Sequence, residues 1–106
     1  MFNSVKYLEI FVCAYCRAIA LLASKGYQEY SAHILNRVEA LDLVQSMFLR
    51  NLLNLSKGFW TYRFKDEKAG NQMMLQALEI FHLIGNQEIA GYYQQQYDFH
   101  VKKGAL

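Results

Sequence analysis

Apolar residues recur at spacings of three and four along the whole chain, and nothing interrupts that rhythm as a β-strand would. Proline is absent, as are the Asn-Gly and Asp-Gly pairs that close hairpins between strands. The spacing predicts five helices, at about 4–24, 27–41, 42–64, 66–84 and 86–102, separated by short polar breaks. Asn3 or Ser4 caps the first and Gly26 stops it. Tyr30, Ile34, Leu35, Val38 and Leu41 share one face of the second. Asp66 caps the fourth, whose inner stripe is Ala69, Met73, Ala77, Phe81 and Ile84. Gly85 ends it, and Asn86 caps a fifth helix with the stripe Ile89, Tyr93, Tyr97 and Val101. Connections this short make successive helices antiparallel neighbours, so the chain reads as an all-α string of helical hairpins.

With 106 residues, 54% of them hydrophobic, the chain is long enough for one domain and no more, residues 1–106. A chain of this size buries roughly two-thirds of its unfolded surface, so neither a metal nor a disulfide is needed to hold it. A net charge of +2 implies no nucleic-acid or membrane partner. Cys13 and Cys16 lie three apart on one helical face, too close along a rigid rod to close a loop. They read as reduced thiols of a cytoplasmic protein, and no second CxxC or HxxxH supplies the other half of a zinc site. The opening "MFNSVKYLEIFVCAYCRAIALLASKG" has the outline of a signal peptide. Glu9 and Arg17 interrupt it, which favours the first helix of a soluble protein over a membrane span.

Two glycines stand inside otherwise helical sequence, in "LSKGFWTYRFKDEKAGNQMMLQA", although glycine costs a helix about 1 kcal/mol relative to alanine. Gly58, Gly70 and Ala77 occupy three small-residue offsets of a tetratricopeptide-like hairpin, with Tyr62 next to its usual aromatic position. A shift of 39 residues aligns Gly26 and Tyr27 with Lys65 and Asp66, and sets Ser31, Leu35 and Val38 against Gly70, Met74 and Ala77. The expected fold is therefore a short right-handed solenoid of tetratricopeptide-like hairpins, with the three small residues as close-packing points. Its concave face would carry Cys13, Cys16, Ala20 and Ala23, then Leu52, Leu55, Phe59, Tyr62 and Arg63. Such an apolar list fits a groove for a short hydrophobic peptide or helix, or a surface covered by another protomer, or equally residues that tight curvature buries inside the monomer.

Catalysis has no signature. His33, His82 and His100 fall in three different helices, and no phosphate loop, GxSxG, HExxH or calcium loop occurs. Asp66 and Glu67 stand in the first turn of a helix, where its dipole accounts for them. The reading is of a protein that is not an enzyme and has no cofactor or metal. The run "GYYQQQYDFH" wraps Tyr92, Tyr93, Tyr97 and Phe99 around most of the last helix. It reads either as an interface with a partner or second copy, or as a terminal helix packed on both sides.

The segment from Asn51 to Gly104 resembles the C-terminal end of the Rgg, GadR and MutR group of Gram-positive transcriptional regulators. The resemblance is carried by "KG" at Lys57 and Gly58, the aromatic Tyr62, "AG" at Ala69 and Gly70, and "QALEIFHLIGNQEIAGYY". Ser56 stands where that group commonly has leucine or phenylalanine before the "KG". The resemblance implies a helical-repeat domain that forms homodimers and senses short peptides, with DNA contacted only through an N-terminal helix-turn-helix domain that this sequence lacks. The second reading is a free-standing tetratricopeptide-like adaptor with no role in transcription; a small helical enzyme using one of the histidines is a distant third.

Overall fold

The computed structural model describes residues 4–41, 43 and 46–103, the side chains of residues 4–6 excepted. Most of them lie in α1 (Ser4–Ser24), α2 (Gln28–Glu39), α3 (Met47–Phe64), α4 (Glu67–Leu83) and α5 (Gln87–Tyr97). A π-helical turn, Asp98–Lys102, continues α5, and there is no strand among the described residues. The fold is all-α, as the apolar spacing implied. Its Cα extents of 46 × 31 × 18 Å describe a slab about two helices deep. The central element is α3, which packs on α1, α2 and α4.

The turns follow from local chemistry. Gly26 (φ +87°) and Gly85 (φ +78°) both take the left-handed conformation that ends a helix without a Cβ clash. In the first turn Gly26 N donates to Ala23 O at 3.0 Å and Tyr27 N to Leu22 O at 3.0 Å. The second repeats it, with Gly85 N to His82 O and Asn86 N to Phe81 O, each at 3.3 Å. The turn between α3 and α4 is built otherwise. Lys65 N and Asp66 N both donate to Thr61 O, at 2.9 and 2.8 Å, and the Asp66 carboxylate then accepts from Ala69 N at 3.1 Å. The 39-residue repeat thus matches helix interiors and not turns: Ser31, Leu35 and Val38 are buried, as are Gly70, Met74 and Ala77. The structural twin of Gly26–Tyr27 is Gly85–Asn86, with Tyr27 and Asn86 sharing φ −84° and ψ 80°.

Three other expectations shift. The third helix begins at Met47 rather than near 42, because Ser46 is extended and its hydroxyl accepts from Leu49 N at 3.1 Å; residues 42, 44 and 45 of the expected start lie outside the described residues. The cap expected at Asn3 or Ser4 likewise falls on a residue or side chain outside them. The buried face of α2 is turned away from Tyr30 and Leu41, which are exposed, and that of α4 centres on Gly70, Met74, Ala77, Leu78 and Phe81 while Ile84 is exposed.

Candidate functional site

Leu52, Leu55, Phe59, Cys16, Ala20 and Ala23 are all buried, and most of them join one core with Val12, Ile19, Met74 and Phe81. Of the two readings of this list, burial inside the monomer describes these side chains, which belong to the packing of α1, α3 and α4. The reason is the central place of α3, which packs on both α1 and α4. Of the groove list, Cys13 and Tyr62 remain half-buried, and Arg63 is exposed.

Tyr62 has open space beside it. It lines a depression of about 410 Å³ with Glu67, Lys68, Asn71, Tyr97, Val101 and Lys102, between the end of α3, the start of α4 and the π turn. The Tyr97 hydroxyl donates to Asn71 Oδ1 at 2.5 Å, which ties α5 to α4 and forms one wall. Two ammonium groups, one carboxylate and the phenol ring of Tyr62 give the depression polar and aromatic contacts together, a set suited to a peptide terminus with an apolar neighbour.

The aromatic run divides. Tyr93 and Tyr97 are buried, as in a terminal helix packed from within. Tyr93 stands 6.5 Å from the Phe59 ring, and burial pushes its phenol pKa up. Tyr92 is half-buried, with the Arg17 guanidinium 4.8 Å over its ring. Phe99 stays 56% exposed.

Gly58 and Gly70 lie where α3 meets α4 backbone to backbone. A Cβ on Gly58 would come within 2.8 Å of Met74 Cγ and 3.2 Å of Gly70 O; one on Gly70 would collide with Tyr62 N and lie 2.5 Å from Tyr62 Cα. Ala77 completes this contact in a way the spacing did not reveal. Its carbonyl accepts a buried hydrogen bond from Asn51 Nδ2 at 2.8 Å, across from α3. The visible signal was an asparagine set in the apolar run "RNLLNL". Ser56, also buried, bonds through its hydroxyl to Cys16 O at 3.1 Å and holds α3 to α1.

Burial pushes the Cys16 pKa up to about 12, and burial followed by the charge of Glu9 raises that of Cys13, so the environment disfavours the thiolate at both. His33 and His82 are exposed. His100 is half-buried, its pKa lowered by desolvation. Among the described residues, no group of three His, Cys, Asp or Glu side chains could hold a metal ion.

One surface had no place in the sequence reading. The window Tyr7–Ser24 of α1, with mean hydropathy 1.6 and Glu9 and Arg17 inside it, is long and apolar enough to cross a membrane by length and composition alone, a test that the core helix of a globular fold also passes. Within the fold one face, Val12, Cys16, Ile19, Ala20 and Ala23, is buried. The opposite face leaves Ile10 58%, Phe11 53% and Leu21 41% exposed.

The described residues form a stack of short-turned helices, joined most closely where α3 meets α4. Residues 3–95 match the family model of the C-terminal domain of the HTH-type transcriptional regulator Rgg, and the chain belongs to that family. The match reaches back through α1 and α2, where the sequence showed only general helical character, and it stops short of the π turn. No curated protein and no solved structure matches the chain. Domains of this family belong to transcriptional regulators, so the role is regulatory.

Proposed function

We propose that the chain is the dimerising and peptide-sensing part of an Rgg-like regulator, acting in the cytoplasm and reaching DNA through a helix-turn-helix domain of the longer protein. The observation that carries this reading is the family match over residues 3–95. The hairpins would stack as a short tetratricopeptide-like solenoid. With Leu52, Leu55 and Phe59 claimed by the core, the depression at Tyr62 is the place for a short hydrophobic peptide. Its roughly 410 Å³ falls in the range of small-ligand sites, and Lys68 and Lys102 on its rim suit a terminal carboxylate.

The single tryptophan, Trp60, sits two residues from Tyr62 and packs against Phe64 at 5.6 Å between ring centroids, so it reports on this end of the molecule. Titration with synthetic short peptides rich in leucine, isoleucine and phenylalanine is expected to change Trp60 fluorescence saturably. Tyr62→Ala should weaken that binding about tenfold while moving the melting temperature by only a few degrees. A flat titration across the peptide set, or equal binding by the variant, would remove the peptide site from Tyr62.

A further inference from the structure

Asn51 is only 4% exposed in the apolar run of α3, and a carboxamide at that depth has a donor end and an acceptor end to satisfy. The donor end is held, since Nδ2 donates to Ala77 O at 2.8 Å. An amide oxygen in that place would face another oxygen, so the Ala77 carbonyl fixes which way round the group lies. The Oδ1 atom accepts no hydrogen bond among the described residues, and it is not sealed in: the described side-chain atom that is both sealed and unpartnered is His100 Nδ1. Ser31 and Ser56, buried as deeply, each set their hydroxyl within bonding distance of two backbone carbonyls. A deep acceptor left open is what sets Asn51 apart.

Asn51 opens on a pocket of about 240 Å³ in the seam between α3 and α4. Asn51 and Asn54 line one side, and Met73, Gln76, Ala77 and Ile80 the other, at the three- and four-residue spacing of a single helix face. Ala77 is buried, Met73 and Ile80 are half-buried, and Asn54 and Gln76 stand exposed. The pocket therefore combines a deep acceptor, apolar walls and two outer carboxamides that both donate and accept. None of its six lining residues ionises, so a carboxylate, phosphate or ammonium would lose hydration there with no opposite charge to replace it. A cavity of about 150 Å³ takes benzene, and drug-sized ligands need roughly 300 Å³ or more. A compact substituted ring falls between those limits, and a peptide of several residues does not fit.

We infer that the α3–α4 seam binds one small neutral molecule through an amide-type edge, a hydrogen-bond donor beside an acceptor on a compact ring system. The ligand's donor meets Asn51 Oδ1, its acceptor meets the amide nitrogen of Asn54 or Gln76, and its ring lies against Met73 and Ile80. Nucleobases and aromatic carboxamides share this edge, and the two-bond pairing of Asn or Gln with adenine is the same chemistry. The site stands apart from the peptide reading, because Asn51 precedes Tyr62 by 11 residues, roughly 16 Å along α3.

Met73 supplies the probe. In the full chain with carbon-13 methionine methyls, its resonance is identified by its loss in Met73→Leu. Adenine, uracil, nicotinamide and benzamide are then titrated separately. At least one should shift the Met73 signal saturably, with Kd of about 0.1–1 mM for a molecule this small. Asn54→Ala combined with Gln76→Ala, both at exposed positions, should weaken that binding at least fivefold with unchanged circular dichroism and melting temperature. Asn51 itself stays in place, because its bond to Ala77 holds α3 to α4. A response to adenine or uracil alone assigns the site to nucleobases, one to nicotinamide or benzamide alone to carboxamides, and one to members of both groups to the shared edge. A Met73 signal that none of the four moves would overturn the inference. So would benzoate binding as tightly as benzamide, since a neutral edge would then not be what is recognised, and so would undiminished affinity in the double variant.

Discussion

At Gly70 a hydrogen atom is all that fits between α4 and the Tyr62 backbone, whereas nothing lies within 4 Å of a Cβ built on Gly91. One chemical change should therefore act with opposite signs. Gly70→Ala is expected to destabilise by about 1–3 kcal/mol through overpacking, and Gly91→Ala in α5 to stabilise by about 0.5–1 kcal/mol by restricting the unfolded chain. Urea unfolding of the two variants checks both. Gly58 behaves as Gly70 does, and Gly58→Leu would fail worse because the added side chain meets the Met74 backbone as well as its side chain. The spacing of Gly58, Gly70 and Ala77 made this contact legible in the sequence. The bond from Asn51 to the Ala77 carbonyl was not, because a long-range hydrogen bond leaves no periodicity.

Among the elements, α2 and α5 begin with the same backbone and different caps. Asn86 accepts from Ile89 N at 3.2 Å, while Tyr27, at the same φ and ψ, makes no side-chain cap. Tyr27→Asn is expected to add a cap worth about 0.5–1 kcal/mol, and Asn86→Ala to lose about 1 kcal/mol; thermal unfolding of the two variants reads both. The glycine stops and the Asp66 and Asn86 caps were legible because capping is local chemistry within three residues. The start of α3 was less so, since "DLVQSMF" continues the apolar rhythm in sequence while Ser46 is extended and caps the helix. The two faces of α1 were harder still. Periodicity locates a face when the other side is polar, and here both sides are apolar.

For the whole molecule, α3 decides what the groove expected on the concave side becomes. Phe59 is 1% exposed and stands between α1, α4 and the Tyr93 ring, so Phe59→Ala is expected to cost about 3–5 kcal/mol in denaturant unfolding. Tyr62→Ala, at the edge of the same helix, should cost far less. A Phe59 variant that kept its stability and lost peptide binding would restore the groove. The sequence by itself determined the all-α class, the glycine stops and caps of α4 and α5, the close contact of α3 with α4 and the family, because each rests on residues near one another in the chain or on a fixed spacing. Only the tertiary structure decided which apolar face lies inside. A stripe of leucine and phenylalanine has the same pattern whether it meets a neighbouring helix, a peptide or a second copy, and the crossing of α3 over α1 buried Leu52, Leu55 and Phe59 while leaving Ile10, Phe11 and Leu21 in water.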